Sequence, residues 1–297
     1  MKKPTLLVLA AGMGSRYGGL KQMEGFGPDG ATLLDYSSHD ALGCGFGRLV
    51  FVIRRDFAAA FEAAVAAKWR TLCDVELVFQ DPSDLPEPWK TPEGRTKPWG
   101  TVHALLAARK AIQEPFLMIN ADDFYGRDSF EVMHAFLARE ARPKHYAMAG
   151  YTLATTLSPN GGVTRAVCKL GAQGELLDLE ELKDVRRLES GTVQSGARIL
   201  GPDARVSMNC FGFGPDVFPI LSEYFLRFLE THPGSMDSEC LIPDVVGDLV
   251  RGGRARVDVL PTKATWFGVT YPADRPRVQA EIKKLHDLGL YPDSLWK

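Results

Sequence analysis

The stretch from Thr5 to Gln22 constrains the chain more than any other. An apolar run, Leu6 to Ala11, gives way to glycines at 12, 14, 18 and 19, with Arg16 and Lys21 among them. A run without alternation suits a strand buried on both faces, the condition of a parallel sheet covered by helices. Glycines reach positive φ and let backbone N–H groups approach a polyanion closely. An arginine and a lysine in the same loop supply the charge that a triphosphate needs. The pattern predicts a strand, a phosphate-cradling loop and a helix.

Two familiar phosphate loops do not match. A dinucleotide fingerprint counted from Gly12 needs its third glycine at 17, where Tyr17 stands, although Asp35 lies near the offset of that motif's ribose-binding acid. The Walker pattern fails because Leu20, not glycine, precedes Lys21, and Gln22 carries no hydroxyl. A glycine-rich structural turn with two solvated cations is the plain alternative.

Leu9-Ala10-Ala11-Gly12-Met13-Gly14-Ser15-Arg16 followed by Lys21 resembles the signature of nucleotidyltransferases that join a nucleoside triphosphate to a sugar 1-phosphate. The short spacing to Lys21-Gln22 is also similar to cytidylyltransferases and molybdenum-cofactor nucleotidyltransferases of that superfamily. The resemblance implies a Rossmann-like three-layer α/β/α fold with a central, mostly parallel mixed sheet (GT-A-like) and a β-rich acceptor-binding insertion. It implies that Arg16 and Lys21 grip the β- and γ-phosphates, with Ala11, Gly12, Gly14 and Ser15 as further nucleotide contacts.

The chain continues in α/β rhythm: helix 31–42, strand 49–53, helix 57–69, strand 75–79. Prolines at 82, 86, 88, 92 and 98 and Gly94 then mark a long, functional loop. Trp99-Gly100-Thr101-Val102-His103-Ala104 opens a helix to Ile112 and resembles the family's turn beside the nucleotide base. Gln80 stands where relatives read a pyrimidine edge. These residues also have structural explanations, Thr101 as an N-cap and Gln80 as a strand-end amide.

Strand 116–119 runs into Asn120-Ala121-Asp122-Asp123-Phe124-Tyr125-Gly126. Ligands of open α/β sheets lie beyond the carboxyl ends of strands. Carboxylates there suit Mg²⁺, which takes one or two of them together with substrate phosphates. The resemblance makes Asp122 the metal ligand and Asp123 a ribose or supporting contact; the alternative is that both cap the following helix, 128–140.

From Ala147 the pattern turns antiparallel, with strands at 147–153, 163–170 and 175–181, before strand 206–213, helix 215–231, a further piece at 239–251 and strand 255–260. By loose resemblance the acceptor contacts are Glu181, Lys183, Asn209 and Glu239. Relatives usually have a Glu-Lys pair where this chain reads Glu180-Glu181-Leu182-Lys183. The chain departs again at Trp266-Phe267-Gly268-Val269-Thr270, where many relatives have Trp-x-Asp-x-Gly and its second metal-binding aspartate. Either one protein carboxylate holds Mg²⁺, the preferred reading, or another acid such as Asp258 substitutes.

At 297 residues and a formal net charge of −2, the chain fits a single domain with no charge-based case for nucleic acid or an anionic membrane. It divides into a nucleotide-binding part (1–140), an acceptor-binding part (141–270) and a C-terminal helix (271–297). Five scattered cysteines without a Cys-x-x-Cys indicate reduced thiols and a cytoplasmic protein. No stretch reaches membrane-spanning length. The histidines form no zinc motif, and no serine-hydrolase elbow is present.

The expectation is a Mg²⁺-dependent transfer from UTP or dTTP to a sugar 1-phosphate. A cytidylyltransferase using phosphocholine or another small phosphate, a related glycosyltransferase, and a non-catalytic nucleotide sensor are the alternatives. Base, sugar and oligomeric state, a homo-oligomer included, stay open at this stage.

Overall fold

The computed structural model describes residues 2–12, 24–269 and 271–296. Gly14, Ser15, Arg16, Lys21 and Thr270 lie outside the described residues.

β1 (Thr5–Leu9) is buried on both faces. Leu6 and Val8 enter one core with Phe51, Phe61 and Phe130, while Leu7 enters a second with Val50, Val102 and Met118. This division explains the run without alternation. α1 (Leu33–Cys44) starts with a capping box in which Thr32 and Asp35 satisfy each other's backbone N–H groups. Its carboxyl end turns on Gly45 at φ 106. Asp35 is fully buried, and its Oδ1 also accepts from Trp69 Nε1 at 2.8 Å. The apparent ribose-binding acid is therefore occupied in holding the helix start.

β2 (Arg48–Ile53) lies parallel to β1. A helical run follows, α2 (Ala58–Phe61) and α3 (Ala67–Trp69) joined by a π turn at Glu62–Ala66. β3 (Asp74–Phe79) then pairs parallel with β2. α4 (Thr101–Ala107) is shorter than its sequence pattern, because the chain tightens into three-residue turns from Ala108 to Ala111. β4 (Phe116–Asn120) returns to the other side of β1, with Leu9 level with Asn120.

Beyond β5 (Asp123–Phe124) and α5 (Arg127–Arg139) the chain builds β6 (His145–Thr152), β7 (Val163–Leu170), β8 (Leu176–Arg187), β9 (Val193–Ser195), β10 (Arg198–Leu200) and β11 (Arg205–Phe213). α6 (Val217–Thr231), α7 (Ile242–Arg251), β12 (Arg256–Pro261), β13 (Phe267–Gly268) and α8 (Arg275–Asp287) complete it.

One 11-stranded sheet runs β10-β9-β8-β7-β11-β4-β1-β2-β3, with β6 beside β11 and β12 beside β6. The pairings make β8, β10 and β11 the strands that oppose the others, so the mixed sheet is mostly unidirectional among the described residues. α1 and α5 pack together on one side and α4 and α6 on the other, giving three layers. β8 extends six residues beyond the expected 175–181, because its second half pairs with β9.

Candidate active site

The parallel ladder continues one step beyond its strands. Ala10 N–H donates to Val52 O (2.8 Å), Gln80 N–H to Ile53 O (2.9 Å) and Ala121 N–H to Leu9 O (3.1 Å). These bonds align the carboxyl ends of β1, β2, β3 and β4. Ala11, Gly12, Gln80 and Asp122 thus emerge along the same edge, the edge at which open α/β sheets bind ligands.

Asp122 lies in the turn between β4 and β5, half-buried. Asp123 Oδ2 accepts from Asn120 Nδ2 at 3.1 Å and has the Tyr125 hydroxyl at 3.4 Å. That hydroxyl accepts from Asn120 N–H (3.0 Å) and donates to Met208 O (2.9 Å), tying the end of β4 to β11. Burial holds the Tyr125 pKa well above the ordinary phenol range, so the hydroxyl keeps its proton for this bond. Neither aspartate caps α5. Its N-cap is Gly126, and Asp128 accepts from Thr262 Oγ1 (2.6 Å) and Lys263 N–H (2.7 Å).

Gly268 pairs directly with Asp123 in the β13–β5 ladder. A Cβ at 268 would stand 2.5 Å from Asp123 Oδ1 and 3.1 Å from the Trp266 ring. The Asp123 carboxylate therefore fills the space that a side chain at 268 would need. Asp258 does not substitute. It lies level with Ala147, Gly212 and Leu117, below the strand ends, and its carboxylate receives His145 Nε2 (2.7 Å) and Arg256 Nε (2.8 Å). Among the described residues no three His, Cys, Asp or Glu side chains are placed to hold a metal ion. Two neighbouring half-buried carboxylates, without nitrogen or sulfur donors, fit a hard cation such as Mg²⁺ that draws its other ligands from phosphate and water.

Gln80 is 5% exposed. Its Nε2 lies 3.1 Å from Gly100 O and 3.2 Å from His103 Nδ1, while His103 Nε2 lies 3.0 Å from Asp84 O. These distances assign His103 the Nε2–H tautomer, and both Gln80 N–H groups are used internally. The Gln80 carbonyl oxygen is the atom left to meet a base. Thr101 Oγ1 accepts from Ile242 N–H at 2.9 Å, binding α4 to the start of α7. Gly100, at φ +92, packs against Cys240, whose O would lie 2.4 Å from a Cβ there. Glu239 pairs with Lys97 at 2.8 Å. The backbone of Cys240 also bonds to Trp99 and Val102, and the helical part of the 239–251 piece starts at Ile242.

On the acceptor side, Asn209 sits at φ +57 where the β11–β6 register shifts between Ser207 and Phe211. Its N–H donates to Ser207 Oγ at 3.3 Å. The bulge bends β11 beside the Tyr125–Met208 link, and left-handed backbone at a non-glycine residue commonly marks a functional position. Glu181 and Lys183 are exposed on one face of β8, while Leu182 between them faces the other way. Arg165 is paired with Leu182 and is 7% exposed. It went unremarked in the sequence, although a lone arginine at an inward strand position was a readable signal.

The sheet order and the β-rich segment that follows give a mixed α/β fold of the kind found in nucleotidyltransferases. Three solved structures share it over nearly the whole chain. A UDP-glucose pyrophosphorylase complexed with UDP-glucose superposes with TM-score 0.62 at 19% identity, covering 96% of this chain and 99% of its own. The inositol-1-phosphate CTP transferase from T. maritima gives 0.65 at 16% identity over 96% and 98%. A protein assigned as a glucose-1-phosphate thymidylyltransferase from Bacillus anthracis, in complex with sucrose, gives 0.63 at 11% identity over 94% and 95%. No family model and no curated protein sequence matches the chain.

Proposed function

We propose that this chain is a Mg²⁺-dependent nucleotidyltransferase that joins UTP or dTTP to a sugar 1-phosphate and releases pyrophosphate. The observation that carries the proposal is the grouping of Asp122, Asp123 and Asn209 at the end of β4, beside the start of the glycine loop, in a fold shared with enzymes named for this chemistry.

In this reading the acceptor phosphate oxygen attacks the α-phosphorus in line. A new P–O bond forms while the bond to the β-phosphate bridging oxygen breaks, and pyrophosphate leaves with that electron pair. The second ionisation of a phosphate monoester lies near pH 6, so no protein base is needed. Residues 1–140 hold the nucleotide and 141–270 the acceptor, with 271–297 closing the domain. Asp122 holds the cation, and Asp123 positions the turn. Mg²⁺, when bound, supplies Lewis-acid neutralisation of phosphate charge. Arg16, Lys21 and the loop amides receive the leaving group. The Gln80 oxygen accepts from N3–H of uracil or thymine. Five free thiols, Cys44, Cys73, Cys168, Cys210 and Cys240, agree with a reducing, cytoplasmic setting.

A CTP-dependent reaction on phosphocholine or another small phosphate is the second reading. The CTP transferase likeness favours it, and the Gln80 oxygen also suits the cytosine amino group. Pyrophosphate release, with and without Mg²⁺, across UTP, dTTP, CTP, GTP and ATP against sugar 1-phosphates, inositol 1-phosphate and phosphocholine tests both. Release with UTP or dTTP and a sugar 1-phosphate supports the first reading. Release only with CTP selects the second. Tight NTP binding without release from any pair overturns both in favour of a nucleotide sensor.

A further inference from the structure

Among the described residues Arg165 is a buried cation with no carboxylate in ion-pair contact. Its Nε donates to Thr156 Oγ1 at 3.1 Å, Nη1 to Thr164 O at 2.8 Å, and Nη2 to Thr156 O. All three acceptors are neutral, and among the described residues no carboxylate lies within ion-pair distance of the guanidinium. A guanidinium has five N–H groups, so two remain to be used. Arg95, the other deeply buried arginine, is different. It donates to Lys97 O, Pro98 O, Ser235 O and Ser238 O and so joins two loops.

Trp266 carries a second, independent sign at the same place. Its ring centroid lies 4.8 Å from Arg165 Cζ, and the residue is 6% exposed. Its Nε1–H is buried and has no hydrogen-bond partner among the described residues. Buried indole N–H groups ordinarily find an acceptor. The Cζ2–Cη2 edge of the ring, next to Nε1, faces Gly268, the ladder partner of Asp123. Asp123 also acts on Arg165 electrostatically, although burial is the larger influence and draws the guanidinium pKa down to about 10. Arg165, Trp266 and Asp123 therefore form one contiguous corner beside the strand-end carboxylates, whereas Lys183 lies on the face of β8 opposite Leu182, the partner of Arg165.

We propose that the Arg165 guanidinium and the Trp266 indole N–H form the seat of the acceptor's phosphate group. The assignment rests on the nucleotidyltransferase reading and deepens it: the acceptor is a phosphate monoester, held by a charged and a neutral donor. The charged donor offsets part of the monoester's charge, and the neutral one fixes its rotation without adding charge near Asp123. The seat takes over the part that Lys183 was expected to play.

Isothermal titration calorimetry on the full chain tests this with glucose 1-phosphate, inorganic phosphate, pyrophosphate and UTP as probes. Both monophosphates are expected to bind the wild type. Arg165→Met should weaken both by about tenfold or more, and Trp266→Phe, which keeps an aromatic ring but removes the N–H, by a few-fold. UTP affinity should stay within about twofold in both variants, which also reports that they are folded. Arg165→Lys should recover part of the loss. Equal monophosphate affinity in wild type and Arg165→Met, or no binding to the wild type, overturns the assignment. A loss confined to pyrophosphate overturns it in favour of a leaving-group seat. Failure of pyrophosphate release from every NTP–acceptor pair defeats the proposed reaction instead, while the calorimetry still reads the seat.

Discussion

The carboxylate of Asp123 occupies the space a side chain at Gly268 would take. The two residues are direct partners in the β13–β5 ladder, and a Cβ on Gly268 would approach Asp123 Oδ1 to 2.5 Å. An aspartate at 268 and the present position of Asp123 are thus mutually exclusive. Gly268→Ala should push the Asp123 carboxylate aside, costing about 1 kcal/mol of stability from overpacking. Turnover should fall about tenfold or more, because the reacting groups depend on close positioning. Thermal denaturation and pyrophosphate release measured on the same preparation check both; unchanged turnover would show that Asp123 does not position the site.

Asp122 belongs to a turn outside both cores, so its neutral isostere should leave the fold intact. Asp122→Asn is expected to lower turnover about a hundredfold or more while shifting stability by no more than about 0.5 kcal/mol. Lys21→Ala should behave similarly. Titration with Mn²⁺ followed by electron paramagnetic resonance gives an independent readout for Asp122→Asn, where weaker metal binding is expected. Near-wild-type turnover in either variant removes that residue from its role.

Asn209 combines a left-handed backbone with a side-chain amide next to Met208, whose carbonyl is bonded to Tyr125, and two substitutions separate these contributions. Asn209→Gly keeps the conformation accessible, whereas Asn209→Ala keeps the Cβ but loses the short polar side chain that lets asparagine tolerate left-handed backbone, so the alanine variant should be about 1 kcal/mol less stable than the glycine variant. Both should raise the acceptor KM about tenfold if the amide bonds the acceptor. Acceptor KM values equal to wild type in both variants would leave Asn209 with a purely structural task.

His103 gives a pH dependence with a defined sign. Burial lowers its pKa from the ordinary 6.5, with the Asp84 carbonyl acting in the opposite sense. As pH falls below 6.5 the unfolded chain takes up a proton that the folded chain still refuses. Stability is therefore fully present above that value and is lost as pH drops toward the folded pKa. His134, also lowered mainly by burial, contributes with the same sign. His103→Gln should lower stability at neutral pH by removing the ring that packs on Phe225, yet flatten the fall of melting temperature between about pH 7 and pH 5. An unchanged slope would exclude His103 as its source.

The sequence by itself determined the parallel centre of the fold. β1, β2 and β4 follow from unbroken apolar runs, and β3 and α1 from β-rich composition and helix signals, because these depend on local periodicity and on how far each sheet face is buried. The position of Asp122 was legible for the same reason: a residue just past the carboxyl end of a buried strand emerges at the edge of the sheet. Tertiary structure decided what local pattern could not encode. Asp35 stands near a ribose-binding offset in sequence, but its oxygens are used by Thr32 and Trp69, the latter on a distant helix. Asp258 seemed a substitute ligand, but strand register sets it below the site. Lys183 has the charge for an acceptor phosphate, and strand alternation sets it on the face of β8 opposite Leu182, while a long-range ladder pairs Arg165 with Leu182 and brings it against Trp266. A strand's direction of view and its register are fixed by partners tens of residues away, so no local motif could have shown which of these charges meet.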